Sequence, residues 1–149
     1  MKCTFRLQFL LILLLGAFQL SGTVEQSYKI TVKITNIRNS KGQMNVQLFK
    51  TSESFVKEKC WKDYVFPKGS KVVDNTLTVV IPNIPKGTYG IAILDDENEN
   101  LEMDSKMFIP QEGFGFSNYY HSAWSKPKFE SFKFDLNKDL NVNIKVRYV

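Results

Sequence analysis

Apolar and polar residues alternate one by one along most of this chain, and that two-residue period constrains its fold more than any other feature. Tyr28, Ile30, Val32 and Ile34 alternate with Lys29, Thr31, Lys33 and Thr35. Successive side chains of a strand face opposite ways, so this run gives one apolar and one wet face. Met44, Val46 and Leu48 alternate with Gln43, Asn45 and Gln47 after a turn at Asn39, Ser40, Lys41 and Gly42, and the two runs read as a hairpin. Tyr64 to Phe66 reads as a short strand ended by Pro67, Lys68 and Gly69. Leu77, Val79 and Ile81 line one face of another, followed by a rigid connection at residues 82–87. Tyr89, Ile91 and Ile93 are backed by Ala92 and Leu94, so that strand is apolar on both faces and belongs in the middle of a sheet. Phe132, Phe134 and Leu136, then Val142, Ile144, Val146 and Tyr148, close the series around a turn at Asn137, Lys138 and Asp139. About seven short strands with regular turns predict an all-β, antiparallel sandwich. The one helical expectation is a short turn containing Phe55 and Val56, capped by Ser52 or Ser54.

The N-terminus has a different grammar. Lys2 and Arg6 precede an apolar run over residues 9–18, and small residues follow at Gly16, Ala17, Ser21, Gly22 and Thr23. That order is the layout of a secretory signal. The run is roughly half of the ~20 residues that a membrane span needs. The expectation is a signal peptide over residues 1–22 and a single sandwich domain over residues 23–149, with no transmembrane segment in the mature chain. Cys3 precedes the apolar run, where it cannot serve as a lipid-acceptor cysteine. The product is expected to be exported, to the periplasm or to the cell surface and beyond.

Cleavage takes Lys2 and Arg6 away, leaving 18 basic against 15 acidic residues, a formal charge of +3. So small an excess, without an Arg- or Lys-rich run, argues against a nucleic-acid partner. Cys60 then stands alone, so packing and not an intrachain disulfide must carry stability. Its neighbours Lys59 and Trp61 allow two readings: a thiol activated by a cation, or a small half-buried apolar residue.

Residues 95–128 break the period. A connection of this length inside a small domain is usually functional or disordered, and its wealth of Phe, Tyr and Trp speaks against disorder. Asn83 to Tyr89, the run Asp95, Asp96, Glu97 and Asn98, the stretch from Pro110 to Asn118, and Pro127, Lys128 and Phe129 together resemble an exported bacterial family, domain of unknown function 2141. The resemblance covers about residues 28–148. It implies an exported Ig-like or prealbumin-like sandwich and no established activity, substrate or cofactor. The family's acidic loop reads close to His-Asp-Glu-Asn-Gly-Asn-Gly. Here Asp95 stands for the His, Glu99 for the first Gly and Leu101 for the second, and the stretch between Asp104 and Pro110 is about one residue short.

Two constellations in the long connection could carry function. Asp96, Asn98, Asn100, Glu102 and Asp104 fall at alternate positions, a spacing that supplies the hard oxygen ligands of Ca²⁺. Leu101 and Met107 occupy the positions where a standard hand-type loop needs Gly and a bidentate acid, so only a looser Ca²⁺ site, the one cofactor considered, or a solvated acidic turn fits. Tyr119, Tyr120, His121 and Trp124 form the second constellation. Flat rings stack on sugars, apolar ligands or protein surfaces. The nearby Phe114 and Phe116 are expected to plug one end of the sandwich, and Ser117 and Asn118 to bond the backbone as turn residues. His121 is the only His, with no nucleophile motif around it, so no catalytic residue is assigned. The leading expectation is therefore an exported, non-enzymatic binding or interaction module for a protein or glycan. The alternatives are a hydrolase of envelope polysaccharide working through the loop carboxylates, and a structural envelope protein.

Overall fold

A computed structural model describes residues 25–149 apart from residue 108. The signal-peptide expectation lies outside the described residues. The elements run β1 (Ser27–Thr35), β2 (Gln43–Phe49), α1 (Ser52–Val56), β3 (Lys62–Pro67), a 3₁₀ turn (Gly69–Lys71), β4 (Leu77–Pro85) and β5 (Gly87–Asp96). After these come β6 (Ser105–Lys106), β7 (Ile109–Pro110), β8 (Gly113–Phe116), a second 3₁₀ turn (Phe129–Ser131), β9 (Lys133–Leu136) and β10 (Leu140–Lys145). The architecture is the expected all-β sandwich. One sheet has the order β10-β1-β4, and the other β3-β2-β5-β8, with β9 also paired to β5. β6 and β7 make a separate small ribbon. All ladders are antiparallel except β1 with β10, which is parallel.

The period-two faces meet in the middle. Ile30, Val32 and Ile34 of β1, Leu77, Val79 and Ile81 of β4, and Val142 and Ile144 of β10 face Met44, Val46, Leu48, Ile91 and Ile93 of the other sheet. Each fully buried side chain of this size contributes about 1.5–3 kcal/mol through removal from water.

The expected β1–β2 hairpin is not formed. β1 pairs with β4 and β10, while β2 pairs with β3 and β5. The backbone between them finds partners elsewhere: Ile37 N–H donates to the Asn75 carbonyl at 3.0 Å, and Asn36 Nδ2 to the Val146 carbonyl at 2.8 Å. Those bonds hold the chain at the end of the first sheet until it crosses to the second. Gly42 completes the crossing at φ +69°, where a β-carbon would lie 2.2 Å from the Asp96 carbonyl oxygen. Only glycine fits there.

The short helix forms where expected, with its cap one residue earlier. Thr51 Oγ1 accepts the Ser54 N–H at 3.1 Å, and Ser54 Oγ accepts the Thr51 N–H at 3.3 Å, a reciprocal capping box. The helix turns Phe55 inward and leaves Val56 exposed. Among the described residues no helix is long and apolar enough to cross a membrane.

Candidate functional site

The outer face of the five-stranded sheet carries a second apolar layer. Phe49, Phe55, Phe116, Phe129 and Phe132 are buried there, with Ala92, Phe114, Tyr119 and Cys60 packed against them. The rings meet mostly edge to face: Phe55 lies 4.9 Å from Phe132 and 5.2 Å from Phe49 between centroids. Gly90 makes room for this layer, since a β-carbon there would come within 2.7 Å of both Phe129 and Phe132. Phe114 and Phe116 thus lie in β8 on the outer sheet face, not at an end of the sandwich as the sequence suggested. Gly113 and Gly115 fill the alternate, inward positions of that strand.

Beside the aromatic layer lies an open cavity of about 690 Å³. Its floor is Ala92, Leu94, Phe114 and Phe116, and its walls are Leu101 and Met103 from the acidic connection and His121, Trp124 and Pro127 from the following loop. Gln47, Glu58, Glu102 and Lys126 add a polar edge, and sites that hold small organic ligands are of this size. Arg147 ties the wall down, donating to the carbonyls of His121 at 3.0 Å and Ala123 at 2.8 Å. Trp124 is 79% exposed at the lip. His121 is buried against Phe116 and Tyr119; its Nε2 meets the Ser125 carbonyl, and its Nδ1 has no hydrogen-bond partner among the described residues.

The four aromatic candidates are therefore divided. His121 and Trp124 line the cavity, whereas Tyr119 and Tyr120 border a separate groove with Thr35, Asn143 and Lys145. Tyr120 is half exposed there, with Lys145 Nζ 5.1 Å from its ring centre. Ser117 and Asn118 do satisfy backbone groups, although the partners are distant in sequence. Ser117 Oγ accepts the Ile91 N–H at 2.9 Å and donates to the Phe132 carbonyl at 2.6 Å. Asn118 Oδ1 accepts the Asn143 N–H at 3.0 Å.

The acidic connection is closed by its own hydrogen bonds. Asp96 accepts the N–H of Asn100 at 3.1 Å, the N–H of Leu101 at 2.9 Å and Gln43 Nε2 at 2.7 Å. Burial pushes its carboxyl up, but these donors outweigh burial and hold it below the ordinary carboxylate range. Asn98 Nδ2 donates to Asp104 at 2.6 Å and Asn100 Nδ2 to the same carboxylate at 3.3 Å; Asn100 Oδ1 accepts the Glu102 N–H at 2.8 Å. Of the five candidate calcium ligands, Glu102 alone leaves its side chain outside this ring of bonds. Among the described residues no three His, Cys, Asp or Glu side chains gather so as to hold a metal ion. Glu99 and Leu101 both take φ 64°, so the loop adopts a glycine-like backbone at the two positions where the resembling family has Gly.

Several supporting residues carried no signal in the sequence. Glu112 lies under the loop and accepts the N–H groups of Glu97 at 3.0 Å and Asp104 at 3.3 Å. Burial raises its carboxyl despite those two donors, and repulsion by Asp96 and Asp104 adds to the rise. Arg38 binds Glu97, whose carboxyl burial would raise but whose bond to Arg38 pulls it below the ordinary range. Lys68 and Asp95 form a fully buried ion pair, and the Tyr148 hydroxyl donates to the same carboxylate. In the sequence Lys68 stands only in the run Pro67, Lys68 and Gly69 that ends a short strand. Tyr148 was legible as the next inward position after Val142, Ile144 and Val146, and Asp95 only as the residue that opens the acidic run. Burial, then Asp63, pushes the Cys60 thiol up, which fits the packed, apolar reading of that residue and not an activated one.

Fold and site together define an all-β sandwich with an open cavity between the outer face of one sheet and the irregular segments that cover it. The chain belongs to the family described as an uncharacterized protein conserved in bacteria (DUF2141), whose model matches residues 32–145. No curated protein matches the chain, and no solved structure does.

Proposed function

We propose that this protein is an exported, envelope-associated binding module, periplasmic or at the cell surface, which holds its ligand without transforming it. The observation that carries this reading is the cavity of about 690 Å³ with an apolar floor and an exposed Trp124 at its lip. A ligand with an apolar or flat face suits it: the ring face of a sugar in a glycan, or an apolar side chain of a partner protein. The non-catalytic reading is supported by what occupies the reactive groups. The Asp96 and Asp104 carboxylates accept N–H groups of the loop, and His121 Nε2 faces a carbonyl. A hydrolase would need a pair of acids free to flank a glycosidic bond, and among the loop carboxylates that line the cavity Glu102 stands alone.

The test is titration of the purified protein with envelope oligosaccharides, following tryptophan emission and the release of reducing ends together. Saturable emission change without release supports the reading. Release of reducing ends by the parent, lost in Asp96→Asn or Asp104→Asn, would replace it with the hydrolase.

A further inference from the structure

The buried charges at one end of the sandwich take no part in the binding reading. Lys68 follows β3 and Asp95 is the next-to-last residue of β5. Asp95 continues the inward series Tyr89, Ile91 and Ile93, and both charged side chains are 0% exposed. Lys68 Nζ contacts Asp95 Oδ1, and the Tyr148 hydroxyl donates to Asp95 Oδ2. The partners are held from behind. Lys68 N–H donates to the Gly42 carbonyl at 3.2 Å, and its own carbonyl accepts from Lys71 at 3.0 Å. The Tyr148 oxygen accepts the Arg38 N–H at 3.0 Å, and the Arg38 guanidinium lies 4.5 Å over the Tyr148 ring.

An ammonium has three N–H donors, and among the described residues Asp95 is the one hydrogen-bond partner of the Lys68 ammonium. Charges removed from water this completely are costly to keep, and contact between them only partly offsets the cost. Passing a proton from nitrogen to carboxylate discharges both groups. It also leaves an amine nucleophile against a carboxyl carbon, with both side chains shut off from bulk solvent.

We propose that Lys68 and Asp95 condense into an intramolecular isopeptide bond, cross-linking the end of β3 to the end of β5. The ammonium gives one proton to Asp95 Oδ1, and the freed lone pair on Nζ attacks Cγ. A second proton follows from nitrogen to the same oxygen. The Nζ–Cγ bond forms, the Cγ–Oδ1 bond breaks, and Oδ1 departs as water carrying two hydrogens that were both on the ammonium. Oδ2 remains as the amide carbonyl, still bonded to the Tyr148 hydroxyl, which stabilises the negative charge that develops on it during attack. Tyr148 keeps its own proton throughout. Burial, and then the bond to Asp95, push its phenol well above the ordinary value, so it stays a donor. No oxidant, reductant or cofactor is consumed. The link ties the edge strand β3 across β2 to the base of the acidic connection.

The experiment is a tryptic map of the purified full chain, with its intact mass. Trypsin does not cleave after an acylated lysine, so peptide 63–71 should appear joined to peptide 87–106 at their summed mass less one water. Lys68→Arg and Asp95→Ala should each yield no joined species, and Tyr148→Phe should lower the joined fraction. A parent that melts cooperatively yet gives separate peptides, cleaved after Lys68, overturns the proposal. So does a joined peptide in Lys68→Arg. Should either variant fail to fold, the map of the parent still decides, because it depends on no substitution.

Discussion

On its inner face the five-stranded sheet presents Met44, Val46, Leu48, Ile91 and Ile93; on its outer face the same strands present Asn45, Gln47, Phe49, Ala92 and Leu94. The inner face is covered by another regular sheet, strand against strand. The outer face is covered by α1, a 3₁₀ turn and the long connection, and the coverage stops short, leaving the cavity. Regular elements repeat their spacing, so two sheets close over each other completely. An irregular cover has no such repeat and can leave room for a ligand. Under the proposed binding function, the difference assigns stability to one face and binding to the other, and substitutions can be ordered along it.

The largest effect belongs to the inner face. Val79→Asp places an unpaired charge among aliphatic side chains. It should cost several kcal/mol, on the order of the whole stability of a small domain. Thr78→Asp, on the exposed side of the same strand, should stay within about 0.5 kcal/mol. Urea unfolding of the pair measures the difference, and similar midpoints would mean that the assignment of a buried and an exposed face to β4 is wrong.

Next comes the aromatic layer. Phe55→Ala removes a buried ring that touches Phe49, Phe116 and Phe132. If the outer layer folds as one unit with the sandwich, the loss should be about 3–5 kcal/mol, close to that of a core Ile→Ala change. If the layer is only docked on the sheet, global unfolding will hardly move. Amide exchange around α1 would then quicken alone. That second outcome would sharpen the division between the faces.

The acidic connection should give smaller effects, read through pH. Asp96 and Glu97 titrate below the ordinary range in the fold. Their contribution is complete above the unfolded carboxylate values of about 4 and is lost as pH falls through the lower folded values. Glu112 has the opposite sign: its raised folded value means that stability declines as pH rises from the ordinary to the raised value. Asp96→Asn should flatten the low-pH limb of stability, and Glu112→Gln should remove the decline above about pH 4. An unaltered low-pH limb in Asp96→Asn would show that its hydrogen bonds persist in the unfolded chain.

Legibility in the sequence followed the same division. β1, β4, β5 and β10 were readable because each had to keep one apolar face for several residues. Pairing was less readable. β1 and β2 are both good strands with a turn between them, and only the partners of Asn36 and Ile37 reveal that the chain changes sheets there. The outer layer was hidden because its members are scattered. Phe55 sits in a short helix, Phe116 in a four-residue strand and Phe129 in a 3₁₀ turn, so no period connects them. Trp124 and His121 were singled out on composition alone, and they do line the cavity, whereas Tyr119 and Tyr120 face a different groove. Lys68 and Glu112 left no trace, since each is buried by the way the chain folds back on it, Lys68 against Asp95 and Glu112 under the backbone of Glu97 and Asp104.

The smallest expected effect on stability is at Trp124, and it bears most directly on function. The side chain is 79% exposed and is packed by nothing comparable to the rings of the aromatic layer. Trp124→Ala should therefore change unfolding by no more than about 0.5 kcal/mol, the range of exposed sites away from special features. A ring lost from the rim of a binding cavity is another matter, because anchors of this type often account for 2 kcal/mol or more of binding. The affinity for whichever envelope oligosaccharide binds the parent should thus fall by about thirtyfold while the melting temperature stays in place. The affinity of the variant is read by calorimetry, because Trp61, half-buried between Lys50 and Lys62, is not among the residues that line the cavity. A control at Tyr120, which borders the other groove, should leave that affinity unchanged. If Tyr120→Ala weakens binding and Trp124→Ala does not, the ligand sits over β10, and the cavity on the outer face of the five-stranded sheet is only the gap that an irregular cover leaves behind.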